Sequence, residues 1–298
     1  MEKTKEQLIN DYKKANKERK QKIAEKAGFK TGADYLNSLI KTAKLKVSKT
    51  KKAKKEMLDY VVAFDTTGSM AAYINNVKQH VKELIPQMFS QDIDLKMRII
   101  AFGDYCDMNS ATVFGNAYQQ SPFTSNENEL INFVQGAKST SGGDSDEFYE
   151  LVIKKITEET PWREGAKKAV LFIADYTPHP VGYSHGNKVT NSQIDWKIEA
   201  KKAAEKGITF DTLAVLGNQF SWYKELSKIT GGIWLPFKSS NKMAEVFTAS
   251  AYARGSEKSR GTFTASYMAA TASGDTELIG TYKSLSTLMD TTTKTKIK

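Results

Sequence analysis

The sequence predicts an α/β fold: a central, mostly parallel sheet with helices on both faces, preceded by a basic helical arm. Three observations predict it. Short apolar runs rich in β-branched residues alternate with helix-patterned segments between residues 57 and 254, the signature of strands joined by crossover helices. Two of those runs end in an acid, Asp65 and Asp175, and ligands of open α/β sheets bind at the carboxyl ends of strands. The net charge of +10 lies wholly in residues 1–60, which hold 18 Lys and Arg against 8 Asp and Glu, while the rest carries 26 of each sign.

The arm comes first. Residues 5–27 are rich in Lys, Glu, Ala and Gln, good helix formers, with a thin apolar stripe of Leu8, Ile9, Tyr12, Ala15, Ile23 and Ala24. Gly28 suits a helix C′ position. Thr31 suits the cap of a second helix, with Asp34 completing a capping-box variant, and Tyr35, Leu36, Leu39 and Ile40 share one face. Residues 41–55 hold eight lysines and no acid, a linker or exposed helix end. Lys49, Lys51, Lys52, Lys54 and Lys55 are the candidates for contact with nucleic acid or another polyanion. The plainer alternative is a solvated arm, since it has few aromatics on which bases would stack.

The body follows. Residues 58–64, Leu-Asp-Tyr-Val-Val-Ala-Phe, suit a strand buried on both faces. A helix is expected over 70–89, with Ile74, Val77, Val81, Leu84 and Ile85 at helical spacing. A strand over 95–102, helices over 126–137 and 146–158, and a buried strand over 169–174 come next. A helix over 192–206, a strand over 208–216 and a helix over 219–229 follow. A turn at Thr230-Gly231-Gly232, a strand over 233–237 and a helix over 240–253 close the domain. The expected organisation is therefore an arm and linker over 1–56, one domain over 57–254, and an extension over 255–298. That extension is rich in Thr, Ser, Ala and Gly; only Leu278, Tyr282, Leu285 and Met289 have helical spacing, and residues 291–294 read as unstructured.

No apolar run approaches the roughly 20 residues that span a bilayer, and no apolar stretch of signal-peptide type follows Met1. The single cysteine, Cys106, excludes an intrachain disulfide and points to a cytoplasmic compartment. One cysteine and three histidines make no zinc set. Cys106 has no adjacent base, and no nucleophile elbow, P-loop or dinucleotide fingerprint occurs, so an enzyme is not expected.

The chemistry concentrates in Asp65-Thr66-Thr67-Gly68-Ser69-Met70. Asp65, Thr67 and Ser69 alternate at i, i+2 and i+4, so a loop leaving a strand can point three oxygens at one place. One carboxylate and two hydroxyls suit a hard cation such as Mg²⁺. The plain alternative is that Ser69 caps the following helix and Asp65 satisfies loop amides. A dehalogenase-type phosphotransfer site also starts with Asp at a strand end, but it needs a second carboxylate two residues on, where Thr67 stands. Two further pieces lie downstream in order: the Gly-rich loop Ser139-Thr140-Ser141-Gly142-Gly143-Asp144-Ser145-Asp146-Glu147, and the strand ending Ile173-Ala174-Asp175.

Taken together, these three motifs resemble the metal-ion-dependent adhesion site, or MIDAS, of von Willebrand factor A (vWA) domains. They look closest to the intracellular bacterial, alpha-kinase-linked and phage-like branch, and the resemblance covers residues 57–254. It extends to Ala101-Phe102-Gly103-Asp104-Tyr105-Cys106-Asp107 and to the Ile229-Thr230-Gly231-Gly232 turn. It implies a Rossmann-like fold and a bound Mg²⁺, with Mn²⁺ or Ca²⁺ as alternatives. Asp65, Thr67 and Ser69 would supply the first loop, and Asp175 would act through a bridging water. The second motif is open between Asp144 and Thr140. The resemblance further implies a protein partner whose acidic group completes the ion's coordination, and a last helix, 240–253, that shifts when the ion changes ligands. Asp104, Tyr105, His179 and His185 are the candidates for a partner-binding rim. The expected function is a Mg²⁺-dependent protein-binding module. The alternatives are a nucleic-acid-associated protein that uses its basic arm and a metal-dependent phosphohydrolase.

Overall fold

A computed structural model describes residues 55–108, 117–143, 145–185, 189–190 and 194–294, together with Gln21, Lys22, Ala24, Glu25, Lys30, Thr31 and Asp34 of the arm. Two units are distinguished, 1–54 and 55–298. In the first, the Asp34 amide donates to Thr31 Oγ1 at 3.1 Å and the Thr31 hydroxyl donates to Asp34 at 2.7 Å, the cap read from the sequence. Most of the expected arm helices lie outside the described residues.

In the second unit, β1 (Met57–Asp65) forms the middle of a six-stranded sheet. After β1 come α1 (Ala71–Phe89), β2 (Asp94–Phe102), the short α2 (Tyr105–Met108), β3 (Tyr118–Gln120), α3 (Glu127–Gly136), α4 (Tyr149–Glu159) and β4 (Lys167–Ala174). A small hairpin of β5 (Ser184–His185) and β6 (Val189–Thr190) stands apart from the sheet. Then follow α5 (Trp196–Glu205), β7 (Ile208–Ala214), α6 (Ser221–Thr230), β8 (Trp234–Pro236) and α7 (Met243–Arg254). The spatial order is β3-β2-β1-β4-β7-β8, parallel except for the antiparallel edge strand β3. The chain thus winds one way from β1 to β2 and the other way from β1 to β4. In such sheets the crevice for a ligand opens where the winding reverses, here between the ends of β1 and β4.

The period of two along each strand divides the core. Leu58, Tyr60, Val62 and Phe64 of β1 join Leu171 and Ile173 on one face. Val61 and Ala63 join Val170 and Phe172 on the other. α1, α3 and α7 cover the first face, and α4, α5 and α6 cover the second. Covering both faces explains why β1 and β4 read as continuous apolar runs rather than alternating ones. The turn into β8 needs glycine for space: a Cβ on Gly232 would stand 1.9 Å from the Phe210 carbonyl oxygen. Gly231 takes the left-handed conformation, φ 73°, that closes α6.

Two buried acids depart from the apolar pattern and tie elements together. Asp59 in β1 accepts from the Arg163 amide at 2.6 Å and from its Nε at 2.7 Å. Asp211 in β7 accepts from Arg254 Nε at 2.8 Å and Nη2 at 2.6 Å, holding the end of α7.

The extension differs from its sequence reading. The sequence predicts one helical segment over 278–289; the extension instead forms two helices, α8 (Glu257–Ser273) and α9 (Thr276–Lys294), and residues 291–294, read as unstructured, continue the second. Phe263 of α8 meets Tyr282 of α9 edge-on at 5.0 Å, and Phe263, Tyr282 and Leu285 complete the core against α7. Every residue of α7 from Met243 to Ala253 except Glu245 is consequently buried. Glu277 at the start of α9 accepts from the Lys238 and Ser239 amides at 2.6 and 3.2 Å, and Asp275 pairs with Lys242. Small residues let helices approach closely, and this packing escapes a reading based on large apolar groups. The expected helix over 146–158 also begins later, at Tyr149. Glu147 is drawn into an extended bridge with Pro178: its amide donates to the Thr177 carbonyl at 3.0 Å and its carbonyl accepts from His179 at 3.3 Å. The strand β3 and the β5–β6 hairpin were not foreseen.

Candidate metal centre

The first loop leaves β1 at its carboxyl end and is latched to its neighbours before any ion is considered. The Thr66 amide and hydroxyl both donate to the Phe102 carbonyl at the end of β2, at 2.7 and 2.8 Å. The Thr66 carbonyl accepts from the Thr140 amide at 3.0 Å. The loop then turns into a single 3₁₀ turn, Gly68–Met70, that leads into α1.

Within it, Asp65 Oδ1 accepts from the Thr67 amide and the Thr67 hydroxyl, both at 2.7 Å. Because the hydroxyl hydrogen goes to Asp65, the lone pairs of Thr67 Oγ1 stay available on its other side, where Ser69 Oγ stands 3.5 Å away. Asp65 Oδ2 accepts from the Tyr149 hydroxyl at 2.6 Å. Ser69 is exposed, whereas Asp65, Thr67 and Asp175 are buried. The three oxygens of the first motif therefore converge, as their spacing predicts. Ser69 lies inside the turn, and the helix that follows is capped at Met70 without a side-chain hydrogen bond, so Ser69 is not its cap; Asp65 does accept from a loop amide, that of Thr67.

Asp175 follows β4 directly, beside Asp65 in the reversal crevice. Its loop is held from both sides. Asn218 donates its amide to the Asp175 carbonyl. Trp222 Nε1 donates to the Tyr176 carbonyl at 2.7 Å, and Thr177 donates to Asp146. The charge of Asp175 and the burial of Asp65 act together. Burial first, then Asp175, push the Asp65 carboxyl up to about 7, against the lowering effect of the Tyr149 and Thr67 hydrogen bonds. Burial and the charge of Asp65 hold the Tyr149 phenol well above its ordinary value, so it remains a donor.

The second motif divides. Thr140 Oγ1 lies 3.0 Å from Thr66 Oγ1, within hydrogen-bond reach of the latch. Asp144 lies outside the described residues. The Gly-rich loop is organised instead by Asp107, fully buried. Asp107 accepts from the Ser141 hydroxyl at 2.6 Å, the Ser141 amide at 3.0 Å, and the Gly142 and Asp104 amides at 3.2 Å each.

The residues expected on a rim lie below it. Asp104, Tyr105 and His179 are 0, 2 and 2% exposed. His179 Nε2 and Asp104 Oδ1 pair at 2.6 Å, Tyr183 stacks on the imidazole at 3.6 Å, and the Tyr105 hydroxyl donates to Glu150 at 2.7 Å. This network props up the 175–179 loop and offers no surface for a partner. His185 belongs to the β5–β6 hairpin. Lys49, Lys51, Lys52 and Lys54 lie outside the described residues, and Lys55 pairs on the surface with Asp92 at 3.2 Å.

Three residues not assigned to the ion from the sequence complete the centre: Tyr149, outside the sequence motifs, and Asp107 and Glu147, which end two of the motif segments. Glu147 is 4% exposed. Burial and the charges of Asp65, Asp104, Asp175 and Asp107 push its carboxyl up to about 11. Its signal was present as an acid just after Gly142-Gly143, but the helical pattern of 146–158 placed it on a helix.

The donor chemistry fits a hard cation. The oxygens are hydroxyls and carboxylates with no sulfur or imidazole among them. Among the described residues, no Lys or Arg side chain forms an ion pair with Asp65, Asp107, Glu147 or Asp175. A cluster of buried acids without a protein counter-ion among the described residues suits a cation from solution. Among the described residues, no three His, Cys, Asp or Glu side chains already form a metal-holding group; the set rests on two hydroxyls and two acids.

No family model matches the chain. It is similar to a putative ariadne-like RING finger protein, R811, of Acanthamoeba polyphaga mimivirus, 23% identical over 198 residues, 62% of this chain. The shared stretch is 19% of that relative's length. Among solved structures it is similar to the pilus adhesin SpaC from Lactobacillus rhamnosus GG (13% identity, 66% of this chain, 30% of that one, TM-score 0.48). It is also similar to proximal thread matrix protein 1 from the mussel byssus, solved with a zinc-occupied MIDAS motif (14%, 64% of this chain, 46% of that one, TM-score 0.46). A third similarity is to BatB from Bacteroides thetaiotaomicron (20%, 64% of this chain, 95% of that one, TM-score 0.41). No helix among the described residues is long and apolar enough to cross a membrane.

Proposed function

We propose that this chain carries a vWA-type domain that binds one Mg²⁺-like cation and uses it to engage an acidic group of a protein partner. The observation that carries the reading is the convergence of Asp65, Thr67 and Ser69, at 2.7 and 3.5 Å, beside Asp175 at the point where the sheet winding reverses. Thr67 and Ser69 would hold the ion through their hydroxyl oxygens. Asp65 orients the Thr67 hydroxyl and supplies charge, and Asp175 supplies the second charge through water. The ion supplies an open coordination position that an incoming carboxylate fills, which makes binding depend on the metal.

The site is read as a binding module rather than an enzyme. The Asp104–His179 pair is buried, so it has no path to a substrate. Cys106 sits among acids, and burial first, then the charges of Asp107 and Asp104, push its thiol up to about 12, which disfavours the nucleophilic thiolate. The finer assignments, Mg²⁺ over other divalent ions and a place in the intracellular branch of the family, belong to this proposal and rest on the all-oxygen donor set and the motif order. The test is titration calorimetry with Mg²⁺ on wild type and Asp65→Ala, followed by capture of partners in Mg²⁺ and in EDTA. Binding of Mg²⁺ by the wild type alone, with a partner retained only in Mg²⁺, supports the reading. Equal capture by both proteins in both buffers rejects a metal-bridged mechanism.

A further inference from the structure

We propose that Glu147 is a third acid of this cation site, turning its carboxylate onto the ion held by the Asp65–Ser69 loop and Asp175 and tightening its binding. The inference rests on the metal reading above and adds a residue to it. Its first support is position. The backbone of Glu147 is bridged to Pro178, within the loop that follows Asp175. Its side chain reaches across to the first loop: the place where a Cβ on Gly142 would sit is 3.0 Å from Glu147 Oε1 and 3.4 Å from Thr67 Cγ2. Glu147 thus stands between the first and third motifs.

The second support is an unmet bond. Glu147 is 4% exposed and its Oε2 has no hydrogen-bond partner among the described residues. A buried carboxyl oxygen left without a hydrogen-bond partner is costly and calls for one. The protein does not provide one. The guanidiniums of Arg163 and Arg254 are committed to Asp59 and Asp211, that of Arg98 donates to the Glu159 carbonyl, and the nearby imidazole is committed to Asp104. Asp104 Oδ2 is likewise buried without a partner among the described residues, so the region lacks positive charge on more than one side.

The third support is the glycine opposite it. Gly142 has φ 69° and no side chain, and a Cβ there would stand 3.0 Å from Glu147 Oε1, so glycine is what leaves the carboxyl its place beside the first loop. Among the described residues three acids do not already form a metal-holding group. The side chain has to turn for Glu147 to reach the ion, and a residue larger than glycine at 142 would press on it.

The probes are Tb³⁺ alone, read by emission sensitised through Tyr149 and Trp222, which stack at 5.4 Å, and Mg²⁺ alone, read by calorimetry. Glu147→Gln and Glu147→Ala are expected to weaken both ions tenfold to a hundredfold, the usual effect of losing an acid that supports a metal site. Asp65→Asn is expected to abolish binding. Melting in EDTA is expected to leave both Glu147 variants at or above the wild type, since an unpaired buried acid has been removed. If Asp65→Asn abolishes binding while both Glu147 variants bind like wild type, Glu147 takes no part and the cation site stands without it. A large fall in EDTA melting temperature for both variants would assign Glu147 to the fold and overturn the inference. If wild type binds neither ion, the metal reading itself falls.

Discussion

Replacing Arg254 by methionine isolates the buried pair that holds α7 against the sheet. Asp211 is fully buried, and Arg254 covers it with two hydrogen bonds of 2.8 and 2.6 Å. Methionine keeps most of the stem that packs but removes the guanidinium. Asp211 would then keep only the Ile233 amide at 3.0 Å and the Ser250 hydroxyl at 3.3 Å. Removing one partner of a buried pair costs about 3–5 kcal/mol because the other charge is stranded. Spread over a unit of this size, that lowers the melting temperature by roughly 6–20 °C. It is a large share of the ~5–15 kcal/mol that holds most domains together. The double variant Arg254→Met/Asp211→Asn removes the stranded charge yet keeps an acceptor for the Ile233 amide, and is expected to recover at least half of the loss. Urea and thermal unfolding followed by far-ultraviolet circular dichroism, in EDTA, give the comparison. A single variant within about 1 kcal/mol of wild type, or a double no better than the single, would refute the stranded-charge argument.

Other consequences are open to test. Mg²⁺ at about 100 times its dissociation constant is expected to stabilise the wild type by ~2.7 kcal/mol, reversed by EDTA and absent in Asp65→Ala; an equal gain in that variant would place the ion elsewhere. Tyr149→Phe leaves Asp65 Oδ2 buried without its 2.6 Å donor and is expected to cost about 1–3 kcal/mol in a melt. The Cys106 thiol is pushed up to about 12, so its thiolate is scarce at pH 8 and increases only as pH rises toward 12; iodoacetamide is expected to alkylate it on the order of a thousandfold more slowly than free cysteine, and a free-cysteine rate would contradict the half-buried, acid-flanked setting. Gly232→Ala forces a Cβ to 1.9 Å from the Phe210 carbonyl, whereas Gly136→Ala meets nothing within 4 Å; the first is expected to lose roughly 1–3 kcal/mol more than the second in urea unfolding.

Much of this architecture is written in local pattern. β1 and β4 are legible because a strand covered on both faces needs apolar residues at every position, and runs such as Val61-Val62-Ala63-Phe64 supply them. The oxygen trio is legible because a strand-end loop fixes how i, i+2 and i+4 project. The remainder depends on partners far along the chain. Asp59 and Asp211 look out of place in strands until Arg163 and Arg254 arrive 104 and 43 residues later. Glu147 belongs to a helical pattern locally, but its backbone is claimed by the loop after Asp175. Asp104, Tyr105 and His179 suggest a polar rim in sequence; stacking and pairing bury them instead. The apolar stripe of α9 is legible, but α8 is hidden by Ser, Thr and Ala, whose contribution lies in permitting close approach rather than in apolar bulk.

The wrapping of α7 by α8 and α9 has a mechanical consequence. A rod enclosed by a sleeve cannot glide without either dragging the sleeve or tearing it. Any travel of α7 along its axis must take Phe263, Tyr282 and Leu285 along as passengers, or pull them into water, and must also unhook Arg254 from Asp211. Motion at the ion's end of the sheet would therefore be felt at the chain's final helices.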